Sequence, residues 1–418
     1  MPPPIVDSAA VAALVAMLVV AFAHPRWWVE LFVGLVAAAA VVLTGAVGLH
    51  GSARETRELF PVVAFLAAIL VVAEMCAVEG VFAAVGARVA RAGRGSPQRM
   101  LLLTFVAAAL VTAVLSLDAT VVLLTPVIAT AAARAGASPR PGVYACARLA
   151  NSASLLLPVS NLTNLLALPA LPSVSFLGFA TVMAPVWLAV LAVEYVAHRL
   201  FFAHDLRRPG AHRPEPEDVS LPTFPVAVVA VMLLGFAALS PLGVAPAWVA
   251  GAAAVVLGVR AVARRRVRVS DLVASAQVPF AVFVLCLGVV VAGLADAFLG
   301  DAVSATLPSG SGLVDLLVVA LVATVLANLV NNLPATLLLV PLVAPLGVTA
   351  VLAALVGLGA GSGLSYPGSL ANLLWRRTVA REDGVVSART FHLLSAVTTL
   401  PAVVLGTVVL WAWAPVVR

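Results

Sequence analysis

The residues most able to do chemistry are amides, hydroxyls and one carboxylate placed between otherwise apolar segments. A polar stretch at residues 328–336, with three asparagines, a proline and a threonine, separates the apolar runs 313–326 and 337–343. Unsatisfied amide groups cost several kcal/mol in hydrocarbon, so broken polar backbone at membrane depth is tolerated only where protein buries it or where it lines a wet cavity. The stretch therefore predicts the tip of a re-entrant hairpin that holds a solute.

The first half of the chain repeats this arrangement. Its polar tip is residues 116–120, and the segment that follows is interrupted at residues 151–164; the matching interruption in the second half is residues 357–372. Paired interrupted segments at matching positions of two halves are typical of the midplane site of a secondary transporter. The predicted substrate-binding residues are Thr120, Asn151, Ser152, Ser160, Asn161, Thr163, Asn164, Asn331, Asn332, Thr336, Ser365, Ser369 and Asn372.

Asp118 is the only acid in either tip or either interruption. An intramembrane carboxylate marks a functional site by default, so Asp118 is predicted to carry the coupling proton or ion. The alternative is a structural ion pair with Arg148, which lies on the approach to the first interruption. Glu74 and Glu79 lie on different faces of one helix. They are expected to sit at the interface or against scaffold helices, with a secondary role for Glu74 in proton passage left open.

The composition identifies an integral membrane protein. The chain is 63% hydrophobic and 10% charged, with a mean hydropathy of +1.14, far above the values of soluble domains. Apolar runs of about twenty residues fit helices rather than an outer-membrane barrel. The N-terminus has no positive region, which predicts no cleavable signal peptide. The Ala/Val/Arg-rich usage indicates a high-GC bacterium and hence its cytoplasmic membrane.

All 24 basic residues are arginines. Without lysine there is no P-loop, so ATP dependence would need a separate ATPase. The arginines cluster in loops between apolar runs. The net charge of +6 therefore indicates the orientation of the chain in the membrane rather than nucleic-acid binding. Three cysteines are interpreted as packing residues, with a thiolate metal or arsenic site as the alternative, and the histidines show no ligand spacing. No cofactor or structural metal is expected, and no nucleophile–base pair indicates an enzyme.

A polar linker at residues 204–221 divides the chain into halves 1–203 and 222–418. The opposite charge of the segments before the two hairpins places those segments in opposite leaflets. The predicted elements are spans within 8–82, hairpin 100–134, broken helix 143–171 and helix 174–203, then spans within 222–294, hairpin 313–347, broken helix 349–377 and helix 390–413. The predicted fold is an all-α polytopic membrane protein with two inverted repeats. It has about ten full spans, two opposed re-entrant hairpins, two broken helices and both termini outside.

The motifs at residues 118–126, 153–164, 331–336 and 368–375 resemble those of the arsenite efflux permeases, the ArsB family. This family belongs to an ion transporter superfamily that also contains sodium/proton antiporters and dicarboxylate or citrate carriers. The resemblance covers the chain from about residue 59 to its end. It implies an elevator-type mechanism, in which the hairpins and broken helices move against a scaffold built from the other spans.

The chain departs from the family pattern at three positions. Arsenite permeases typically have an acid where Asn151 stands, an Asn or Asp near Gly359, and a Thr near Ser365. These differences affect residues that the pattern places at the coupling and substrate site. Membership in the superfamily is therefore better supported than the arsenite assignment.

The favoured function is a secondary transporter that exports a small inorganic solute, with arsenite or antimonite as the first choice, in exchange for protons. The alternatives are a sodium-coupled carrier of anions such as dicarboxylates or citrate, a sodium/proton antiporter, and, from another class, a channel or the membrane subunit of an ATP-driven pump. The interruptions contain no ring of charged residues, which argues against dicarboxylate or citrate. Expected partners are the lipid bilayer, the solute, and a proton or sodium ion, with a homodimer left open.

Overall fold

The computed structural model describes residues 3–23, 27–93, 96–207, 219–295, 299–380 and 386–414. Within these residues the secondary structure is helical, with no strand. Nine of the described helices are long and apolar enough to cross a membrane. The all-α polytopic class is thereby confirmed. Most of the predicted linker, residues 208–218, lies outside the described residues.

The first half forms ten α-helices within its described residues. They are α1 (Pro3–Ala23), α2 (Trp27–Thr44), α3 (Leu49–Val78), α4 (Val81–Ala92), α5 (Pro97–Val114), α6 (Thr125–Arg134), α7 (Arg140–Ser152), α8 (Leu162–Ala167), α9 (Phe176–Phe201) and α10 (Ala203–Arg207). A π-helix, Ala119–Leu124, precedes α6 directly. Helices α5 and α6 are therefore the two limbs of the first hairpin, and α7 and α8 are the two parts of a broken helix.

The second half repeats this order. Its helices are α11 (Thr223–Leu239), α12 (Pro246–Ala263), α13 (Val269–Ser275), α14 (Val278–Leu294), α15 (Gly300–Ser304), α16 (Leu313–Val330), α17 (Asn332–Val343), α18 (Val348–Gly359), α19 (Leu370–Val379) and α20 (Ala388–Trp413). Helices α16 and α17 form the second hairpin, and α18 and α19 the second broken helix. The spans α1–α3, α9, α11, α12, α14 and α20, with the two broken helices, make up the predicted crossings.

Four short connections interrupt the hairpins and the broken helices. The first tip, residues 115–118, joins α5 to the π-helix, and the second tip, centred on Asn331, joins α16 to α17. The first break, residues 153–161, lies between α7 and α8, and the second break, residues 360–369, lies between α18 and α19.

Equivalent helices of the two halves run in opposite directions. The end of α3 lies beside the end of α12, because Glu79 forms ion pairs with Arg260 at 3.8 Å and Arg266 at 3.2 Å. Helix α14 is antiparallel to α3. Val284 clusters with Val63, and Gly288, one turn later in α14, packs on Leu59, one turn earlier in α3. Helices α3 and α14 occupy the third position of their halves, so the repeats are inverted. By the positive-inside rule, the arginines within residues 260–268 predict that the α13 side is cytoplasmic.

The helices form two packed groups. Helices α1–α3 and α11–α14 contact one another and are called here the scaffold. Helices α5–α9 and α16–α20 form the second group, called here the hairpin unit. The long helices α9 and α20 pack on each other, on the broken helices and on α16, not on the bulk of the scaffold. The hairpin unit is therefore larger than the two hairpins and two broken helices that the resemblance implies.

Gly357 should be intolerant of any side chain, because it lets α18 approach α16 closely. A Cβ at this position would overlap the backbone carbonyl oxygen of Ala320, and backbone cannot move aside as a flexible side chain does. We expect Gly357→Ala to destabilise the purified protein by about 1–3 kcal/mol, measured as a fall in Tm in detergent. Gly251→Ala on α12 is the matched control, because no atom lies within 4 Å of that Cβ. Equal Tm values for the two variants would contradict the close contact.

Candidate functional site

The two tips and the two breaks meet at one cavity of about 590 Å³ between the scaffold and the hairpin unit. The scaffold side of this cavity is formed by a largely apolar face of α3, together with Glu30 of α2, Asp271 and Ser275 of α13 and Phe280 of α14. The hairpin unit contributes both apolar and polar side chains. Its polar side chains are those of Ser116, Asp118, Ser160, Asn161, Asn332 and Ser369. Residues from both halves of the chain thus face a single space.

Four helical segments begin at this cavity. At each start, a side-chain oxygen accepts a hydrogen bond from a backbone N–H of the first turn. The pairs of accepting side chain and donating backbone N–H are Ser116 with Ala119, Asn161 with Thr163, Asn331 with Leu333, and Ser369 with Ala371. The donor–acceptor distances are 3.2 to 3.3 Å. Because a helix start carries the positive end of the dipole, the site favours electronegative oxygens.

The two breaks are held by the same hydrogen-bond pattern. Asn164 Nδ2 donates to the carbonyl oxygens of Ser154, at 2.8 Å, and Leu157, at 3.0 Å. Asn372 Nδ2 donates in the same way to the carbonyls of Ser362, at 3.0 Å, and Ser365, at 2.8 Å. These amides satisfy backbone carbonyls that the interrupted helices leave unpaired, which is what interrupted backbone needs at membrane depth.

Asn151 joins the first broken helix to the second. Its Nδ2 donates to Asn372 Oδ1 at 2.7 Å, and its Oδ1 accepts from Ser362 Oγ at 3.3 Å. The side chain is fully buried. Asn372 is already donating to two carbonyls, so its Oδ1 must face a donor. An amide fits position 151 here, whereas an ionised acid would not.

Asn151→Asp should therefore destabilise the fold. A carboxylate at this position would face Asn372 Oδ1 and leave that acceptor unsatisfied, which costs about 1–3 kcal/mol or more for a charged group. The expected result is a lower Tm at neutral pH. Gln98→Glu is the matched control, because Gln98 is exposed and its Oε1 accepts from Arg199, so a carboxylate there keeps its partner. A Tm for Asn151→Asp as high as that of the control would contradict the assigned bond.

The predicted substrate-binding residues fall into two groups. Ser160, Asn161, Asn332 and Ser369 line the cavity together with Asp118. The others lie behind its wall and are Thr120, Asn151, Ser152, Thr163, Asn164, Asn331, Thr336, Ser365 and Asn372. Most side chains of this second group form hydrogen bonds within the protein. Thr336 Oγ1, for example, donates to the Asn332 carbonyl oxygen at 2.6 Å. Thr163 Oγ1 and Asn164 Oδ1 are buried and have no hydrogen-bond partner among the residues that the structure describes. Direct solute contact by this group stays a prediction.

Asp118 is half-buried at the cavity and makes no hydrogen bond or ion pair within the described residues. The ion pair with Arg148 that the sequence left as an alternative is not present in this conformation. Asn332, only 3% exposed, also lines the cavity, and its side chain makes no hydrogen bond to the described part of the chain. These two side chains are the free polar groups best placed to meet a solute.

Arg148 instead pairs with Glu194 of α9. Its Nη2 lies 2.7 Å from Glu194 Oε1, and the two side chains are 1% and 0% exposed. Arg148 also donates to the Gly363 carbonyl in the second break and to Ser395 and Thr399 of α20. Glu194 was missed in the sequence, although a single acid within an apolar span is itself a signal of a buried partner. The pair joins both broken helices to α9 and α20.

Comparison with known proteins identifies the family. Residues 4–361 match the model of the citrate transporter family, CitMHS. The chain belongs to this family. This CitMHS-family chain is 26% identical over 362 residues to the arsenical pump membrane protein of Yersinia enterocolitica, and 24% identical over 361 residues to that of Escherichia coli strain K12. Each alignment spans 80% of this chain and 82% of the relative.

A solved structure supports the fold of this CitMHS-family chain. The crystal structure of the Alcanivorax borkumensis YdaH transporter, whose topology is described as unusual, aligns with a TM-score of 0.59 and 17% identity over 87% of each chain. The resemblance to arsenite permeases and the multi-pass membrane location are both confirmed. The chain is thus a membrane transporter of the ArsB/CitMHS type, a class of transporters rather than enzymes.

Proposed function

We propose that this transporter exports a small, neutral, hydroxylated inorganic solute, arsenite or antimonite, in exchange for protons. The observation that carries the proposal is the lining of the central cavity. Four capped helix starts and the unpartnered Asp118 converge there, and no arginine or histidine of the described residues lines it.

The chemistry of this lining suits a solute that both donates and accepts hydrogen bonds. Hydroxyl oxygens of the solute would accept from the Asn332 amide and from N–H groups at the helix starts. Its hydroxyl protons would donate to the Asp118 carboxylate. A di- or trivalent organic anion would instead meet the carboxylates of Glu30, Glu74, Asp118 and Asp271, which also line the cavity. Like charges repel, so anionic solutes are disfavoured.

Proton exchange follows from competition at Asp118. The solute binds to the ionised carboxylate, and protonation removes the acceptor that holds it. In the cytoplasm-facing state Asp118 would lose its proton as the solute binds. On the opposite side a proton would displace the solute, so that each export step carries protons inward.

Alternating access would come from movement of the hairpin unit against the scaffold. The cavity lies between these two groups, and Phe65, Leu66, Ile69, Leu70 and Ala73 of α3 form the apolar part of its scaffold side. These apolar side chains make no hydrogen bonds that would have to be broken during sliding. The site residues, which belong to the hairpin unit, would travel with it and face each side of the membrane in turn.

The test is transport by the purified protein in proteoliposomes with an imposed proton gradient and no ATP. We expect arsenite and antimonite to move and to compete with each other, and citrate and succinate neither to move nor to compete. A sodium-coupled anion carrier is the second candidate, favoured by the description of the matched family. Sodium-driven citrate uptake without an arsenite response would select it and overturn the proposal. Arsenite transport that required an added ATPase would contradict the proton-driven mechanism.

A further inference from the structure

The cavity face of α3 contains one titratable side chain. Phe65, Leu66, Ile69, Leu70 and Ala73 line the cavity from this helix and are apolar, and Glu74 is the exception. The apolar residues repeat at helical spacing, so a leucine or alanine at position 74 would complete the wall. A carboxylate on a surface that is otherwise suited to sliding needs another explanation.

Glu74 has no partner that neutralises it. The half-buried side chain makes no hydrogen bond or ion pair within the described part of the chain. The arginines that approach α3 from the α12 side, Arg260 and Arg266, both bind Glu79, five residues further along. Glu79 is thus the structural acid of this helix end, and Glu74 is left facing the cavity.

Three other carboxylates share the cavity with Glu74. Asp118 lies at the first tip, Glu30 is buried at the start of α2, and Asp271 is exposed on α13. Glu74 lies one turn before α3 ends, at the membrane side where α13 lies, whereas Asp118 is at the hairpin tip. Helix α3 also packs directly against the π-helix that follows Asp118. Glu74 thus lines the same cavity as Asp118, on the side of the molecule where Asp271 is exposed.

The Asn332 side chain is a separate indication that the cavity binds a polar molecule. Asn332, 97% of which is buried, presents an unpartnered amide to the same space. A cavity of about 590 Å³ has ample room for water beside a small solute. Water in this space would connect, through hydrogen bonds, carboxylates that do not touch.

We infer that Glu74 accepts the proton that Asp118 releases in the cytoplasm-facing state and passes it to water at the Asp271 mouth. The O–H bond at the Asp118 carboxyl breaks, and an O–H bond forms at the Glu74 carboxylate through intervening water. Glu74 then gives up this proton to the solvent at the mouth and is ionised again. The inference rests on the proposed proton exchange at Asp118.

The location of Glu74 on the scaffold has a consequence for coupling. Asp118 belongs to the hairpin unit, so movement of this unit takes it away from Glu74. A proton left on Glu74 or passed to the mouth is then separated from the site that released it. Glu74 would thus favour proton release to one side of the membrane only.

The experiment compares two assays on Glu74→Gln in proteoliposomes. Arsenite exchange at equal arsenite and equal pH on both sides needs no net proton transfer, and we expect it to stay within about twofold of wild type. Arsenite transport driven by a pH gradient needs proton release, and we expect it to fall about tenfold or more, as for loss of a positioned proton-transfer group. Glu74→Asp should restore most of it. Glu58→Gln, an exposed acid paired with Arg54 on the same helix, is the matched control.

The outcomes separate this inference from the proposed function. Wild-type gradient-driven transport by Glu74→Gln, with Asp118→Asn inactive, would overturn the role of Glu74 and leave the proposed function standing. An equal loss in both assays, by Glu74→Gln and Glu74→Asp alike, would show a structural role and would also overturn it. Absence of any pH-driven arsenite transport in wild type would instead refute the proposed function.

Discussion

Asp118→Asn should abolish proton-driven transport while leaving the protein folded. The carboxylate makes no hydrogen bond or ion pair within the described residues, so an isosteric amide removes no structural contact. An amide does not bind and release a proton in the physiological range, so coupling should fall by about 100-fold or more. The measurement is pH-gradient-driven arsenite flux in proteoliposomes, with Tm in detergent as the test of folding.

Asp205→Asn provides the matched control for this substitution. Asp205 pairs loosely with Arg140, at 3.7 Å, and lies outside the cavity, so its replacement should leave the flux unchanged. Full pH-driven flux in Asp118→Asn would contradict the role of Asp118. A large fall in Tm without a specific loss of coupling would indicate that the side chain is structural.

Arg148→Met should be the most destabilising single substitution at the site. It would leave Glu194 charged and fully buried, and removing one partner of a buried ion pair costs about 3–5 kcal/mol. The Gly363 carbonyl, Ser395 and Thr399 would lose a donor as well. We expect a large fall in Tm in detergent and poor recovery of folded protein.

A double-mutant cycle separates the charge effect from general packing. Arg148→Met combined with Glu194→Leu removes both charges, and apolar replacement of a whole buried pair is often neutral or stabilising. The double variant should therefore be more stable than Arg148→Met alone. Additive losses in the double variant would contradict a coupled pair. Arg54→Met, which breaks the exposed pair with Glu58, should change the stability little.

The fold was predictable from the sequence because polar residues in apolar segments have few structural explanations. The amides at 328–336 and 151–164 signalled backbone that leaves the helix at membrane depth, and the structure places tips and breaks there. The opposite charge of the loops that precede the two hairpins indicated that the two repeats have inverted orientations in the membrane. These signals are local, so a single sequence was enough to detect them.

The sequence could not predict which amides face the cavity and which bond to other protein atoms, because this depends on contacts between distant segments. Asn151 meets Asn372 only where the two broken helices cross, and the sequence distinguishes neither from cavity-facing Asn332. The sequence offered only Asp118 as a partner for Arg148, whereas the pairing with Glu194 follows from the position of α9. Grouping of α9 and α20 with the hairpins likewise depends on packing faces that an almost uniformly apolar helix does not reveal.

The most direct test of the central claim is whether arsenite movement itself drives protons. Proteoliposomes that contain a trapped pH dye would be loaded with arsenite and diluted into arsenite-free buffer without sodium or ATP. We expect the interior to acidify as arsenite leaves, and Asp118→Asn to abolish the acidification. Arsenite efflux without a pH change, or acidification that persists in Asp118→Asn, would contradict it.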